Sequence, residues 1–405
     1  MKRRDLLKNL SVLPLAGGLA GAIIPTESKA APPRAKRGLF KELGVRTFIN
    51  AAGTYTFMTG SLMRDEVVDA IRSTSTEFCL LDELQDRVGE KIAQLTRAES
   101  AVVTAGCFSA MTLGLAGVLT GTDPKKAEQL PHLEGTGMKS EVIIQKGHSV
   151  GYSQALTNTG CSIVFVETIA DVEKAINEKT ALLWFLNIQA DKGTITHEQW
   201  VALGRKHNIP TMIDMAADVP PVSNLWKFNE MGFDLVCVSG GKALRGPQSA
   251  GLLMGKKDLV AAARVSMPPR GSTIGRGMKV NKEEIIGMYV ALEHYLNYDH
   301  DKEWKEWESR IATMEKGVKG INGLTTEVKV PTLGNVTPTL HITWDPVKLK
   351  ITTKEVQERL RNGDPSIEVI GSEDAHITIT SWVMKAGEEK IVAKKLKELF
   401  SSVSV

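Results

Sequence analysis

An apolar run, Leu235-Val236-Cys237-Val238, passes into Ser239-Gly240-Gly241-Lys242, with Arg245-Gly246-Pro247-Gln248 just beyond. A strand that ends in small residues presents the next side chain at the carboxyl edge of a sheet, where open α/β folds bind ligands. Glycines let backbone approach a ligand closely, and an amine held there can condense with an aldehyde. Asp214 ends an earlier apolar run, Met212-Ile213, and is followed by Met215-Ala216-Ala217. A carboxylate at that point can pair with a protonated pyridine nitrogen and keep the ring an electron sink. Further upstream, Thr104-Ala105-Gly106-Cys107-Phe108-Ser109-Ala110 joins a strand to a helix. The backbone amides of Gly106, Cys107 and Phe108, with the Ser109 hydroxyl, suit a phosphate at the positive end of the helix dipole. His148, in Lys146-Gly147-His148-Ser149, follows the next strand and is placed to stack on a ring. Asn187 or Gln189, beyond another apolar run, is placed to hydrogen-bond a phenolic oxygen or a substrate. Taken singly, each has an ordinary reading: a surface lysine, a helix cap, a small-residue turn, a core histidine. Their order is the stronger signal, because phosphate turn, stacking ring, polar strand end, acid, serine and lysine all fall at carboxyl ends of predicted strands. The set describes a pyridoxal 5′-phosphate (PLP) site. Lys242 is the expected Schiff-base lysine, Asp214 the ring acid and His148 a third catalytic candidate, with Ala216 and Ser239 among the cofactor contacts.

The elements that must position these residues follow from hydrophobic period. Helical spacing marks 62–74, 84–95 and 106–119. Short apolar strands are predicted at 101–104, 141–145, 161–166, 180–186, 211–214 and 235–239, separated by helices at 151–157, 169–177 and 198–207. Such alternation implies an α/β fold, a mostly parallel sheet covered on both faces. Residues 251–254 read as a hairpin-like edge strand. Beyond Pro268-Pro269-Arg270-Gly271 the pattern changes. One long helix over 282–318, strands at 325–330, 339–344, 367–370 and 376–380, and helices at 353–361 and 388–400 predict a smaller α+β domain.

The chain has 405 residues and a formal charge of +3. Lys2, Arg3, Arg4, Lys8 and Lys29 against Asp5 and Glu27 supply that excess, so the remainder is neutral. A neutral chain has no field to hold phosphate backbones, which argues against a nucleic-acid binder. Residues 1–30 resemble a twin-arginine export signal: Arg3-Arg4, a short glycine-diluted apolar stretch, and Ser28-Lys29-Ala30 before Ala31-Pro32-Pro33. That stretch is short for a membrane span, so the expectation is an exported or periplasmic protein with no stable span. Cys79, Cys107, Cys161 and Cys237 show no metal-site spacing and are expected to be free, mostly buried thiols. The eight histidines show no zinc motif either.

Three segments carry a family likeness: Ile49-Asn50-Ala51-Ala52-Gly53-Thr54, the stretch from Ser239-Gly240-Gly241-Lys242 to Gln248, and Arg276-Gly277-Met278-Lys279-Val280-Asn281-Lys282. They resemble fold-type I PLP enzymes of the selenocysteine synthase (SelA)-like group, which includes D-glucosaminate-6-phosphate ammonia lyase. Gly241 stands where the group often has an acid, and Arg245 where it has a glycine. The resemblance implies an arm over 31–60, a PLP-binding large domain over 61–280 and a C-terminal small domain over 281–405. It also implies homodimers or larger rings with sites at subunit interfaces, so that an arginine of one chain can serve its neighbour's site, with Lys242 and Asp214 as lysine and ring acid. The expected activity is ammonia loss from a β-hydroxy amino acid or amino-sugar acid, its carboxylate held by Arg245, Arg270 or Arg276. Transamination or racemisation of a small amino acid is the alternative within PLP chemistry. A non-catalytic exported binding protein that keeps the fold is the alternative outside it.

Overall fold

The structure is a computed structural model that describes residues 37–371 and 374–403; the expected export signal lies outside these. Two compact units divide the chain at Thr47 and Phe48. The described part of the first holds one short helix, Leu39–Glu42, whose last residue is ion-paired to Arg37.

In the second unit the strands are β1 (Ile49–Asn50), β2 (Ser100–Thr104), β3 (Glu141–Gln145), β4 (Ser162–Val166), β5 (Thr180–Leu186), β6 (Thr211–Asp214), β7 (Leu235–Ser239), β8 (Gly251–Gly255), β9 (Leu324–Lys329), β10 (Thr339–Trp344), β11 (Ile367–Glu368) and β12 (His376–Thr380). Seven of them form one sheet in the order β2-β8-β7-β6-β5-β3-β4. The pairings from β7 through β6, β5 and β3 to β4 are parallel. Every residue of β5 is buried. Leu183 and Phe185 enter one hydrophobic core, and Leu182, Trp184 and Leu186 the other, so strand alternation feeds both faces. Strand β8 is not at the edge, as the sequence suggested. It lies between β2 and β7 and is antiparallel to both. An apolar run records burial, which an interior strand has on both sides, but it does not record neighbours.

The long helix expected over 282–318 is two, Lys282–Leu296 and His300–Val318. The helical period runs unbroken through the junction. The break comes from side chains that bond the local backbone: Asn297 Nδ2 donates to Glu293 O at 2.8 Å, and Asp299 Oδ1 accepts from Lys302 N at 2.9 Å as an N-cap. The C-terminal segment builds a three-stranded sheet, β12-β10-β9, and a third core around Leu340, Ile342, Ile377, Ile379 and Phe400. Ile49 and Ala51 belong to that core, because β1 pairs in parallel with β11. Among the described residues no helix is long and apolar enough to cross a membrane.

Candidate active site

The carboxyl ends of the parallel strands open on a cavity of about 540 Å³, within the range of small-molecule sites. Leu186 ends β5, Asp214 ends β6 and Ser239 ends β7, and all three line it, with Lys242 on the turn after β7. That turn is tightly held. Ser61 Oγ donates to Lys242 O at 2.7 Å, Gly240 N to Ala250 O at 2.9 Å, and Gly246 N to Gly240 O at 2.9 Å. A Cβ on Gly241 would lie 2.4 Å from Gln248 Cα, so only glycine allows this packing beside the lysine.

Asp214 is 3% exposed. Its Oδ1 accepts from Ala216 N at 2.9 Å and from the Cys107 thiol at 3.3 Å. Burial raises its pKa, while those two donors and Lys242 oppose the rise; a cationic ring nitrogen would oppose it further. The helix Gly106–Thr120 begins on the cavity. Its N-cap is Ala105, which offers no side-chain cap, so its first amides are left for a ligand. Gly106 has φ +85°, which directs those amides. An amine, a buried acid on the adjoining strand and a helix start fit the aldehyde, ring nitrogen and phosphate of PLP.

Residues 49–316 match the family model of L-seryl-tRNA selenium transferase, SelA. The chain belongs to the SelA family. D-glucosaminate-6-phosphate ammonia lyase of Salmonella typhimurium is 25% identical over 374 residues, covering 89% of this chain and 97% of its own. A solved structure of D-glucosaminate-6-phosphate ammonia-lyase superposes with a TM-score of 0.78 at 24% identity, covering 91% and 100% of the two chains. SPT, solved with PLP, gives a TM-score of 0.55 at 12% identity, covering 88% of each chain. The fold is therefore fold-type I, and this SelA-family chain is a PLP-dependent enzyme.

Of the residues expected from sequence, Gly106, Cys107, Phe108, Asp214, Ala216, Ser239 and Lys242 line the one cavity. Others do not. His148 is fully buried, with its Nδ1 accepting from Leu186 N at 3.2 Å and its ring edge-on to Phe185 at 4.5 Å. Burial, then the His197 charge, lowers its pKa to about 4. It braces the end of β5 and does not line the cavity, whose aromatic rings are Tyr55, Phe108, Tyr152, His341 and Trp382. Ser109 is turned into the protein interior, 8% exposed. Asn187 is buried, its Oδ1 bonded to His197 Nε2 at 2.7 Å. Gln189 is half-buried in the turn beyond and is not on the cavity. Arg245 lines a separate cavity beside Arg64 and Glu303, and its guanidinium donates to Trp382 O at 2.6 Å. Arg270 is ion-paired to Asp82 at 2.7 Å, and Arg276 is exposed. None of the three expected carboxylate-binding arginines lines the cavity of its own chain, which leaves service to a neighbouring subunit's site as the form of that expectation.

Sequence reasoning missed Asp218, 2% exposed and on the cavity. Its Oδ1 accepts from Gly334 N at 3.2 Å, and its Oδ2 has no partner. Burial raises its pKa to about 7. The segment 52–56 and the strand faces of Thr339, His341, Thr378 and Thr380 were missed as well. The Asn50-Ala51-Ala52-Gly53 motif held a usable signal. Asn50 Oδ1 accepts from Ala52 N and Gly53 N, a side-chain turn that directs 52–56 along the cavity.

Proposed function

We propose that this SelA-family enzyme is an exported ammonia lyase, converting an amino acid with a β-hydroxyl to a 2-keto acid and ammonia. The observation that carries it is Lys242 and Asp214 on the same cavity, at the ends of adjoining strands, together with a helix start that has no side-chain cap. The similarity to D-glucosaminate-6-phosphate ammonia lyase along nearly its whole length supports the reaction class. Bound here, PLP would withdraw electrons from the substrate's Cα and make its proton acidic. Lys242 would hold the cofactor aldehyde and, once displaced by the substrate amine, carry the Cα proton. Asp214 would keep the ring nitrogen protonated. The amides of Gly106, Cys107 and Phe108 would hold the phosphate.

The test is incubation of the purified protein with β-hydroxy amino acids and no keto-acid acceptor. Ammonia and 2-keto acid should form, and Lys242→Ala should abolish both. A strict requirement for an added 2-keto acid would replace the lyase with an aminotransferase. Borohydride reduction followed by peptide mapping should place the cofactor on Lys242.

Export by the twin-arginine route is part of the same reading, since that route carries folded protein already holding its cofactor. Lys-Lys in place of Arg3-Arg4 should leave the enzyme in the cytoplasm, and unchanged export would remove the route. The enzyme is also read as a homo-oligomer. Phe57, Leu62, Phe78 and Leu80 leave large apolar side chains in solvent, which favours association. Light scattering that finds a monomer would end this part.

A further inference from the structure

Loss of a β-hydroxyl asks for more than a base at Cα. Hydroxide is a poor leaving group, so a proton must reach the β-oxygen as the Cβ–O bond breaks. In that step Lys242 is the acceptor of the Cα proton. A second group on the cavity must therefore hold a proton at neutral pH and be able to release it. Most of the titratable side chains there are unsuited. Burial holds the Tyr55 phenol and the Cys107 thiol above their usual ranges. Burial, then the His376 charge, holds His341 below its own, so that ring is neutral. Asp214 commits Oδ1 to Ala216 and Cys107 and is the ring acid of the proposed site.

Asp218 differs in its bonding. It lines the cavity just beyond β6 and is 2% exposed. Its Oδ1 accepts from Gly334 N at 3.2 Å, and its Oδ2 is buried without a partner. Burial keeps its proton in place to about pH 7; the Asp214 charge adds to the rise and Lys242 opposes it. With Oδ1 already an acceptor, the proton belongs on Oδ2, as a hydroxyl that no described residue accepts. A substrate oxygen would relieve that orphan. The groups that set this state belong to Asp218's own chain, so the arrangement asks nothing of a neighbouring subunit.

We propose that Asp218 is the acid of the elimination, giving its Oδ2 proton to the substrate's β-oxygen. The inference rests on the lyase reading and assigns a catalytic residue to it. Lys242 takes the proton from Cα, and the electron pair left behind becomes the Cα–Cβ double bond. The Cβ–O pair leaves with oxygen, which takes the Asp218 proton and departs as water. The unsaturated amine then exchanges its nitrogen for the oxygen of water, giving ammonia and the 2-keto acid. Asp218 is left a carboxylate, and the proton on Lys242, passed on through solvent, restores both groups.

The experiment compares leaving groups on the cofactor-loaded full chain. Serine and glucosaminate lose a hydroxyl, whereas β-chloroalanine loses chloride, which departs unprotonated. For the hydroxy substrates kcat should fall as pH rises through about 7, and for β-chloroalanine it should not. Asp218→Asn keeps the shape without the acidic proton. It should lower kcat on a hydroxy substrate on the order of 100-fold, and on β-chloroalanine less than about threefold. Asp218→Glu should restore part of the loss. Equal losses on both substrates, or a wild-type pH profile indifferent to the leaving group, would overturn the proposal and leave the lyase standing. If no β-hydroxy amino acid releases ammonia from the wild-type enzyme, the lyase reading falls and the acid with it. Infrared difference spectra of cofactor-free protein give a readout without turnover. A protonated carboxyl should ionise at about pH 7 and be absent from Asp218→Asn; ionisation at about pH 4 would overturn the proposal by itself.

Discussion

Asp214 ends β6, Asp218 lies just beyond it, and the two share one cavity, yet they do different work. Asp214 gives one oxygen to Ala216 and Cys107 and lines the cavity. Asp214→Asn removes the charge that would keep the ring nitrogen protonated while retaining most of the shape. The expected result is a cofactor still trapped on Lys242 by borohydride but kcat lowered on the order of 100-fold. A loss below threefold would deny Asp214 this part. Asp218 instead carries a pH signature. Burial holds its carboxyl protonated up to about pH 7, well above the ordinary carboxylate range. The folded state therefore binds a proton that the unfolded chain loses near pH 4. The stability this confers is present in full below about pH 4 and is lost as pH rises through about 7, up to about 4 kcal/mol in all. Calorimetry of cofactor-free protein at about pH 5 and about pH 8 should show a drop in melting temperature that Asp218→Asn reduces. Lys242 and Asp214 were legible because one follows the small-residue end of an apolar run and the other ends one. Asp218 was not, because it follows no pattern; its meaning comes from Gly334, far along the chain.

At the scale of elements, the proposed phosphate site would depend on how closely β8 approaches the start of the helix Gly106–Thr120. A Cβ at Gly251 would lie 2.5 Å from Gly106 C and 2.7 Å from Cys107 N. Gly251→Ala must push that turn outward. It should cost about 1–3 kcal/mol of stability and weaken cofactor binding about tenfold, read by equilibrium dialysis. Unchanged cofactor affinity would show that the phosphate is held elsewhere. Strand existence was legible here and strand neighbours were not. The run Gly251–Gly255 looks like any buried strand, and only its pairing with β2 and β7 makes Gly251 a spacer. The helix junction at 297–299 was hidden for the opposite reason. Apolar spacing continues across it, and two side chains bonding to backbone decide the break.

At the scale of the whole molecule, the C-terminal segment is tied to the cavity's other wall by a few hydrogen bonds. Gly334 N reaches Asp218, Asn335 N donates to Ala217 O at 2.6 Å, and Arg245 donates to Trp382 O at 2.6 Å. Trp382 itself lines the cavity, so Arg245, expected from sequence to hold a substrate carboxylate, would instead act on the site through Trp382 as a positioning residue. The two roles separate experimentally. Arg245→Met leaves the Trp382 carbonyl without its donor, at a cost of about 1–3 kcal/mol. Hydrogen exchange over 381–385 should then quicken with no substrate present, and KM should rise for every substrate alike, with cofactor trapping on Lys242 retained. An arginine that held a carboxylate would leave exchange unchanged in the free enzyme and penalise only substrates carrying that carboxylate. Exchange is the sharper measurement, because it reads the tie between the two parts of the fold before any ligand is bound.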